Sequence, residues 1–225
     1  IASGSLTTPD FAENILSSKK ADFVSLGRPL FADPQWAKKA KEGRPEDIIP
    51  CIRCNEKCLD QGFLKYRSVE CTVNPRLGRE RELLITPASK SKKVAIVGGG
   101  PAGMEAARVS SLRGHQVTLF EKRQLGGLLI EAAVPDFKKD LKYLIQYQSD
   151  QIYKSNIDLV EKEATIDDFR NTHYDSIIVA TGAILYRPHI PGCELNRVVG
   201  ALEVLMGDVH VGNEVIVLGA GMIGV

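Results

Sequence analysis

Val94-Ala95-Ile96-Val97-Gly98-Gly99-Gly100-Pro101-Ala102-Gly103 is the stretch that decides the fold. The four apolar residues, β-branched at three positions, read as a strand, and the glycines after them have separate tasks. Gly98 makes the tight turn, Gly100 lets the backbone approach a pyrophosphate, and Gly103 lets the following helix pack closely on the strand. The helix is alanine-rich up to Arg113-Gly114, and a second strand runs from Val117 to Phe120 and ends at Glu121. An acid at that place accepts hydrogen bonds from the ribose hydroxyls of an adenosine, while the phosphates sit on the helix N-terminus. A glycine triplet alone is weak evidence. Strand, triplet, helix, strand and acid in that order predict a bound adenine dinucleotide, on the opening of a doubly wound α/β fold.

Downstream, Phe137, Leu141, Ile145, Gln148 and Ile152 fall near helical spacing with Lys138, Lys139 and Lys142 between them, which predicts an amphipathic surface helix. Ile177-Ile178-Val179-Ala180 reads as a buried strand that stops at Thr181-Gly182. A second buried strand, Val215 to Leu218, is expected to meet a second glycine turn at Gly219, Gly221 and Gly224, the sequence's one internal repeat. The residue that would separate NAD from NADP in that second motif lies past Val225.

Upstream, Cys51, Cys54, Cys58 and Cys71 form C-x2-C-x3-C-x12-C, three thiols in one tight loop and a fourth from further along. A cubane cluster needs four thiolates converging on its corners, and a short loop supplies three of them only if its backbone is irregular. Zinc is the competing occupant, although zinc folds more often present two separated C-x2-C knuckles. Little hydrophobic periodicity runs through residues 46–90, as expected where a metal centre organises the chain. Arg53, Asn55 and Lys57 sit between the thiols, where donors tune a cluster's potential or serve as ordinary loop polarity. Cys193 stands alone and is expected to have no redox role.

The chain divides into residues 1–45, an α/β tail; 46–90, the cysteine segment and linker; 91–205, a dinucleotide-binding domain; and 206–225, the start of a second one. A formal net charge of +1 over 225 residues gives no long-range pull toward nucleic acid or an anionic membrane. The apolar runs fall far short of the roughly 20 residues that span a bilayer. Ile1 stands where Met would begin a chain and no n-region and h-region of a signal peptide follow it, and the sequence stops at Val225 straight after a glycine turn that ought to open a helix, so both ends are expected to be cut ends. An odd number of cysteines with metal-like spacing points to a reducing compartment, hence the cytoplasm.

Together these residues resemble the iron–sulfur flavoenzymes of the 2,4-dienoyl-CoA reductase and 2-enoate reductase type, to which trimethylamine dehydrogenase is related. The resemblance covers essentially the whole chain. It implies an FMN-binding (β/α)8 barrel related to Old Yellow Enzyme, then a 4Fe-4S cluster, then FAD and NAD(P)H domains arranged as in glutathione reductase. Ala21 to Pro34 is similar to the last barrel strand and the helix after it, which implies that Ser3, Gly4, Gly27 and Arg28 hold the FMN phosphate. Cys51 to Cys58 and Cys71-Thr72-Val73-Asn74-Pro75-Arg76 match the cluster signature. Gln124-Leu125-Gly126-Gly127 matches a second FAD contact, and Ala180-Thr181-Gly182 a strand end beside FAD. Gly219, Gly221 and Gly224 would meet NAD(P)H. The implied reaction is reduction of an activated carbon–carbon double bond in a small unsaturated acid or acyl-CoA, with electrons passing from NAD(P)H through FAD, the cluster and FMN. Its catalytic residues are expected upstream of this segment, and a homo-oligomer is compatible with it. The alternatives are an amine dehydrogenase with electrons flowing outward, and a zinc-binding structural module.

Overall fold

Two parallel sheets organise the computed structural model, which describes residues 1–219. The smaller pairs β1 (Ala2–Ser3) with β2 (Val24–Ser25), in register Ala2 to Val24 and Ser3 to Ser25. The larger has four strands, β3 (Lys93–Val97), β4 (Gln116–Phe120), β5 (Ile157–Val160) and β6 (Ser176–Val179), in the order β5-β4-β3-β6. Chain order reverses on either side of β3, which makes the carboxyl end of β3 a topological switch point, the place where open α/β sheets bind ligands.

The helices are α1 (Pro9–Ser17), α2 (Arg28–Ala32), α3 (Trp36–Lys41), α4 (Pro101–Leu112), α5 (Leu129–Ala132), α6 (Asp140–Lys154), α7 (Ile166–Arg170) and α8 (Ala201–Met206). Met104 and Ala107 of α4 and Ile152 of α6 pack against Val94, Ile96, Val117 and Leu119 of the sheet to form the main core. Ile96 and Leu119 are wholly buried there, as central strands of a parallel sheet require. A second, smaller core joins Ala12, Trp36 and Ile48.

Asp33 ties that N-terminal unit to the cysteine segment. Its buried carboxylate accepts hydrogen bonds from Lys39 Nζ (2.6 Å) and the backbone N–H groups of Gln35 and Ile49 (2.9 Å each). Burying this ion pair is tolerable because every oxygen is satisfied. The approach to β3 is pinned to the turn after α4: Ser91 Oγ donates to Gly114 O (2.7 Å), and Lys93 opens β3.

Four expectations need correction. The strand at 176–179 forms but is not buried; Ile177, Ile178 and Val179 are exposed, because β6 is the sheet edge and each side chain has a neighbouring strand on one side only. Val215 to Leu218 forms no strand and all four side chains are exposed, since no described strand offers it a ladder of N–H and C=O groups. The cysteine segment is irregular on both sides of one ordered turn: Glu56–Leu64 is a π-helix. Phe137, placed on the amphipathic helix by its spacing, lies in a 3-10 turn ahead of α6 and is exposed, while Leu144 and Ile152 carry the buried stripe.

Candidate cofactor and cluster sites

The first glycine turn is built by steric exclusion. Gly98 has φ 106°, and a Cβ on it would lie 2.4 Å from the Ala180 carbonyl oxygen. On Gly103 a Cβ would lie 1.7 Å from the Gly98 carbonyl oxygen. Both positions therefore exclude any side chain. Gly100 differs: it caps α4 in extended backbone (φ −73°, ψ 179°), and a Cβ there would meet nothing nearer than Gly127 Cα at 3.7 Å. The open space in front of the α4 N-terminus is what a pyrophosphate cradle needs, so the residues fit the group.

Other expected contacts converge on the same turn. Gly126 N–H donates to Gly99 O (2.9 Å), and Gly127, with φ 54°, sits so close that a Cβ would come 2.8 Å from Gly100 Cα. Ala180 and Thr181 back onto Gly98, and Gly182 follows with φ 74° and open space around it. Glu121 is buried at the end of β4, where Oε2 accepts from Gly99 N (2.6 Å) and Oε1 from Arg123 N (2.8 Å). The sequence predicted an acid for ribose hydroxyls; the structure gives it a second task, folding the glycine loop onto the strand end. Each carboxylate oxygen keeps a free lone pair for a ribose hydroxyl.

Cys51, Cys54, Cys58 and Cys71 line one hollow with Arg28, Phe31 and Thr72. Left-handed backbone at Arg53 (φ 51°) and Asn55 (φ 61°) curls the loop so that thiols three and four residues apart face the same space. Cys58 is buried on the π-helix, and Cys54 Sγ lies 3.3 Å from Thr72 Oγ1. Burial pushes the Cys51 and Cys71 thiols up, while backbone N–H groups pull the other way: that of Arg53 at Cys51, and those of Val73 and Asn74 at Cys71. N–H donors aimed at sulfur are what a thiolate-ligated cluster uses to tune its potential, and the donor set fits one. Among the described residues no three Cys, His, Asp or Glu side chains converge as a single ion would need.

At the N-terminal end, Ser3 closes β1 and Gly4 follows it, while Gly27-Arg28 come after β2, so the parallel pairing brings both loops to one edge. Gly4 has φ 100°. The side chain of Arg28 does not join this edge; its guanidinium donates to Asn55 Oδ1, in the cysteine loop. Gly219 has φ 105° but belongs to no strand–turn unit, and Gly221 and Gly224 lie outside the described residues.

Sequence reasoning missed the element that links the sites. Asp140 in the first turn of α6 holds Arg53 of the cysteine loop, Gln148 Nε2 donates to Pro101 O (3.4 Å), and Ile145 lies against Gly126. One helix thus touches both the cysteine loop and the glycine turn. Arg123 pairing with the buried Glu131 (2.8 Å) was also unforeseen, since an Arg and a Glu eight residues apart carry no local signal.

Comparison with known proteins follows this geometry. Residues 92–225 match the pyridine nucleotide-disulphide oxidoreductase family. A metal reductase of Desulforamulus reducens is 40% identical over 231 residues, covering 100% of this chain and 34% of that protein. A cinnamate reductase of Clostridium sporogenes is 37% identical over 226 residues, with 100% and 34% covered. A solved 2-naphthoyl-CoA reductase in complex with 2-naphthoyl-CoA superposes with a TM-score of 0.89 at 37% identity, covering 94% of this chain and 32% of that one. The chain spans about a third of the length of the curated relatives it matches. Doubly wound sheet, glycine turn and sequence likeness agree: the chain belongs to the pyridine nucleotide-disulphide oxidoreductase family.

Proposed function

We propose that this chain carries the cluster-binding and FAD-binding parts of an NAD(P)H-dependent flavoenzyme that reduces activated carbon–carbon double bonds in small unsaturated acids or acyl-CoA thioesters. The observation that carries the reading is α6, whose Asp140 holds the cysteine loop while Gln148 and Ile145 meet the glycine turn. A link of this kind suits two redox groups that exchange electrons. When bound, flavins pass between hydride and single-electron chemistry, and a 4Fe-4S cluster carries electrons one at a time.

In this reading Gly98, Gly100, Gly103, Gly126, Gly127, Thr181 and Gly182 form the FAD cradle, with Glu121 on the adenosine ribose. Cys51, Cys54, Cys58 and Cys71 ligate the cluster. The tetrahedral alternative is less well supported by spacing: zinc folds more often present two separated C-x2-C knuckles, whereas here three thiols share one loop. Ser3, Gly4, Gly27 and Arg28 hold the FMN phosphate, on what would be the last strands of a barrel. Gly219, Gly221 and Gly224 open the NAD(P)H domain. Thiolate ligation suits a reducing, cytoplasmic setting; among the described residues no helix is long and apolar enough to cross a membrane.

Anaerobically purified full-length protein tests the reading. It should contain iron and acid-labile sulfide, release both FAD and FMN on denaturation, and bleach with NADH or NADPH as well as dithionite. FMN with ADP in place of FAD would identify an amine dehydrogenase. A colourless protein containing zinc would reduce the segment to a structural module.

A further inference from the structure

Thr72 follows the remote cysteine of the cluster motif, and its side chain reaches across the hollow to a different one. Its Oγ1 lies 3.3 Å from Cys54 Sγ, a hydrogen-bond distance for sulfur, although 18 residues separate the two in sequence. While Cys54 is a free thiol either atom can be the donor. As a cluster ligand Cys54 has lost its proton, so the hydroxyl hydrogen has to point at sulfur. The turn that carries Thr72 is anchored: Asn74, buried two residues on, donates from Nδ2 to Phe31 O (2.8 Å) and accepts the Arg76 N–H at Oδ1 (3.1 Å), which fastens residues 71–76 to α2. Cys54, facing it, stands between the left-handed residues Arg53 and Asn55 and is the exposed member of the four. Thr72 therefore joins the three-thiol loop to the turn of the fourth ligand.

We propose that Thr72 tunes the cluster, its hydroxyl donating to the Cys54 thiolate and raising the midpoint potential above what four undisturbed sulfurs would give. A cluster held by four thiolates gains negative charge on reduction, and a donor on a ligand sulfur stabilises the reduced form more than the oxidised one. The donors at Cys51 and Cys71 come from the backbone. Thr72 supplies one from a side chain, so its effect on the cluster can be separated from the fold. Because Cys54 is exposed, water takes over part of a lost hydrogen bond. The expected effect is thus about threefold in the one-electron equilibrium, about 28 mV at about 59 mV per tenfold. Thr72 is a positioning residue, acting through Cys54, and the assignment rests on the cluster reading above.

The test uses anaerobically prepared full-length holoenzyme. The cluster midpoint is followed by EPR in a redox titration, and exchangeable protons beside the reduced cluster by deuteron ENDOR after transfer to D2O. Thr72→Val keeps the branched shape and removes the hydroxyl; it should lower the midpoint by the threefold stated and erase one exchangeable coupling. Thr72→Ser keeps the hydroxyl and should stay near wild type in both readings. Should Thr72→Val fail to hold iron, Thr72→Ala carries the same two measurements. An unmoved midpoint in the variant lacking the hydroxyl overturns the proposal. Equal shifts in Thr72→Val and Thr72→Ser also overturn it, since packing rather than a hydrogen bond would then set the potential. An iron-free wild type sinks the cluster reading itself, a failure distinguishable from a cluster whose potential ignores residue 72.

Discussion

Arg53 Nε lies 2.5 Å from Asp140 Oδ2 and its Nη2 2.9 Å from Oδ1, a two-point grip between the cysteine loop and the first turn of α6. Arg53 occupies left-handed backbone between two cysteines. The carboxylate in turn sits at a helix N-terminus, where negative charge is favoured. Because Arg53 is more than one-third exposed, solvent screens the pair. A double-mutant cycle of Arg53→Ala and Asp140→Ala, read by urea unfolding, should give a coupling of about 1 kcal/mol. Coupling near zero would mean that the grip does not hold the loop to α6.

The two glycine types in the first turn separate folding from binding. Gly103→Ala forces a Cβ to 1.7 Å from a backbone carbonyl that cannot move without distorting β3, and should cost about 3 kcal/mol or more. Gly100→Ala meets no atom closer than 3.7 Å and has ordinary backbone angles. Its stability should stay within about 0.5 kcal/mol of wild type, while the new methyl occupies the pyrophosphate space and FAD retention on gel filtration falls. Gly100→Ala that retains FAD fully would place the phosphates elsewhere.

The β3 to β4 half of the sheet was legible because its signals are local: apolar strand, glycine turn, alanine-rich helix and terminal acid follow one another within 30 residues. The cysteine spacing was legible for the same reason, since Cys51, Cys54 and Cys58 share one loop. Arg53 to Asp140 and Arg28 to Asn55 were not, because they join residues 87 and 27 positions apart and depend on packing that no period encodes. Burial of Ile177 to Val179 and of Val215 to Leu218 was misread for a related reason. Apolar runs announce a strand but not what covers it, and β6 proved to be an edge while 215–218 has no strand partner among the described residues.

Acid sensitivity should centre on Asp47, which ties the start of the cysteine segment to α6. Burial pushes its carboxyl up, but hydrogen bonds from Lys154, Gln151 and Arg44 outweigh it and hold the pKa at about 2, below the ordinary 3.8. A carboxylate whose native pKa is depressed contributes its full stability above the unfolded value and loses it as pH falls through the native one. The contribution should thus be intact above about pH 4 and vanish toward pH 2, with a size on the order of 1 kcal/mol after screening. Thermal melts of Asp47→Asn should show a lower midpoint at pH 6, with the difference from wild type closing between pH 4 and 2. A difference independent of pH in that window would show that shape rather than charge is what Asp47 contributes.

Glu121 is expected to act before any ligand arrives. Its two oxygens accept the N–H groups of Gly99 and Arg123 in a buried setting, so the side chain folds the glycine loop onto the end of β4 through protein contacts alone. Glu121→Gln keeps one acceptor and turns an N–H donor toward another donor, which should cost about 1 to 2 kcal/mol in the FAD-free protein. FAD affinity should fall about tenfold further, equivalent to about 1.4 kcal/mol, as the loop and the ribose contact are both weakened. If the acid served only the ribose, the FAD-free variant would unfold at the wild-type denaturant midpoint and only the affinity would drop. Urea melts of flavin-stripped protein beside flavin titrations distinguish the two outcomes, because a loop-folding role moves both measurements and a ribose role moves one.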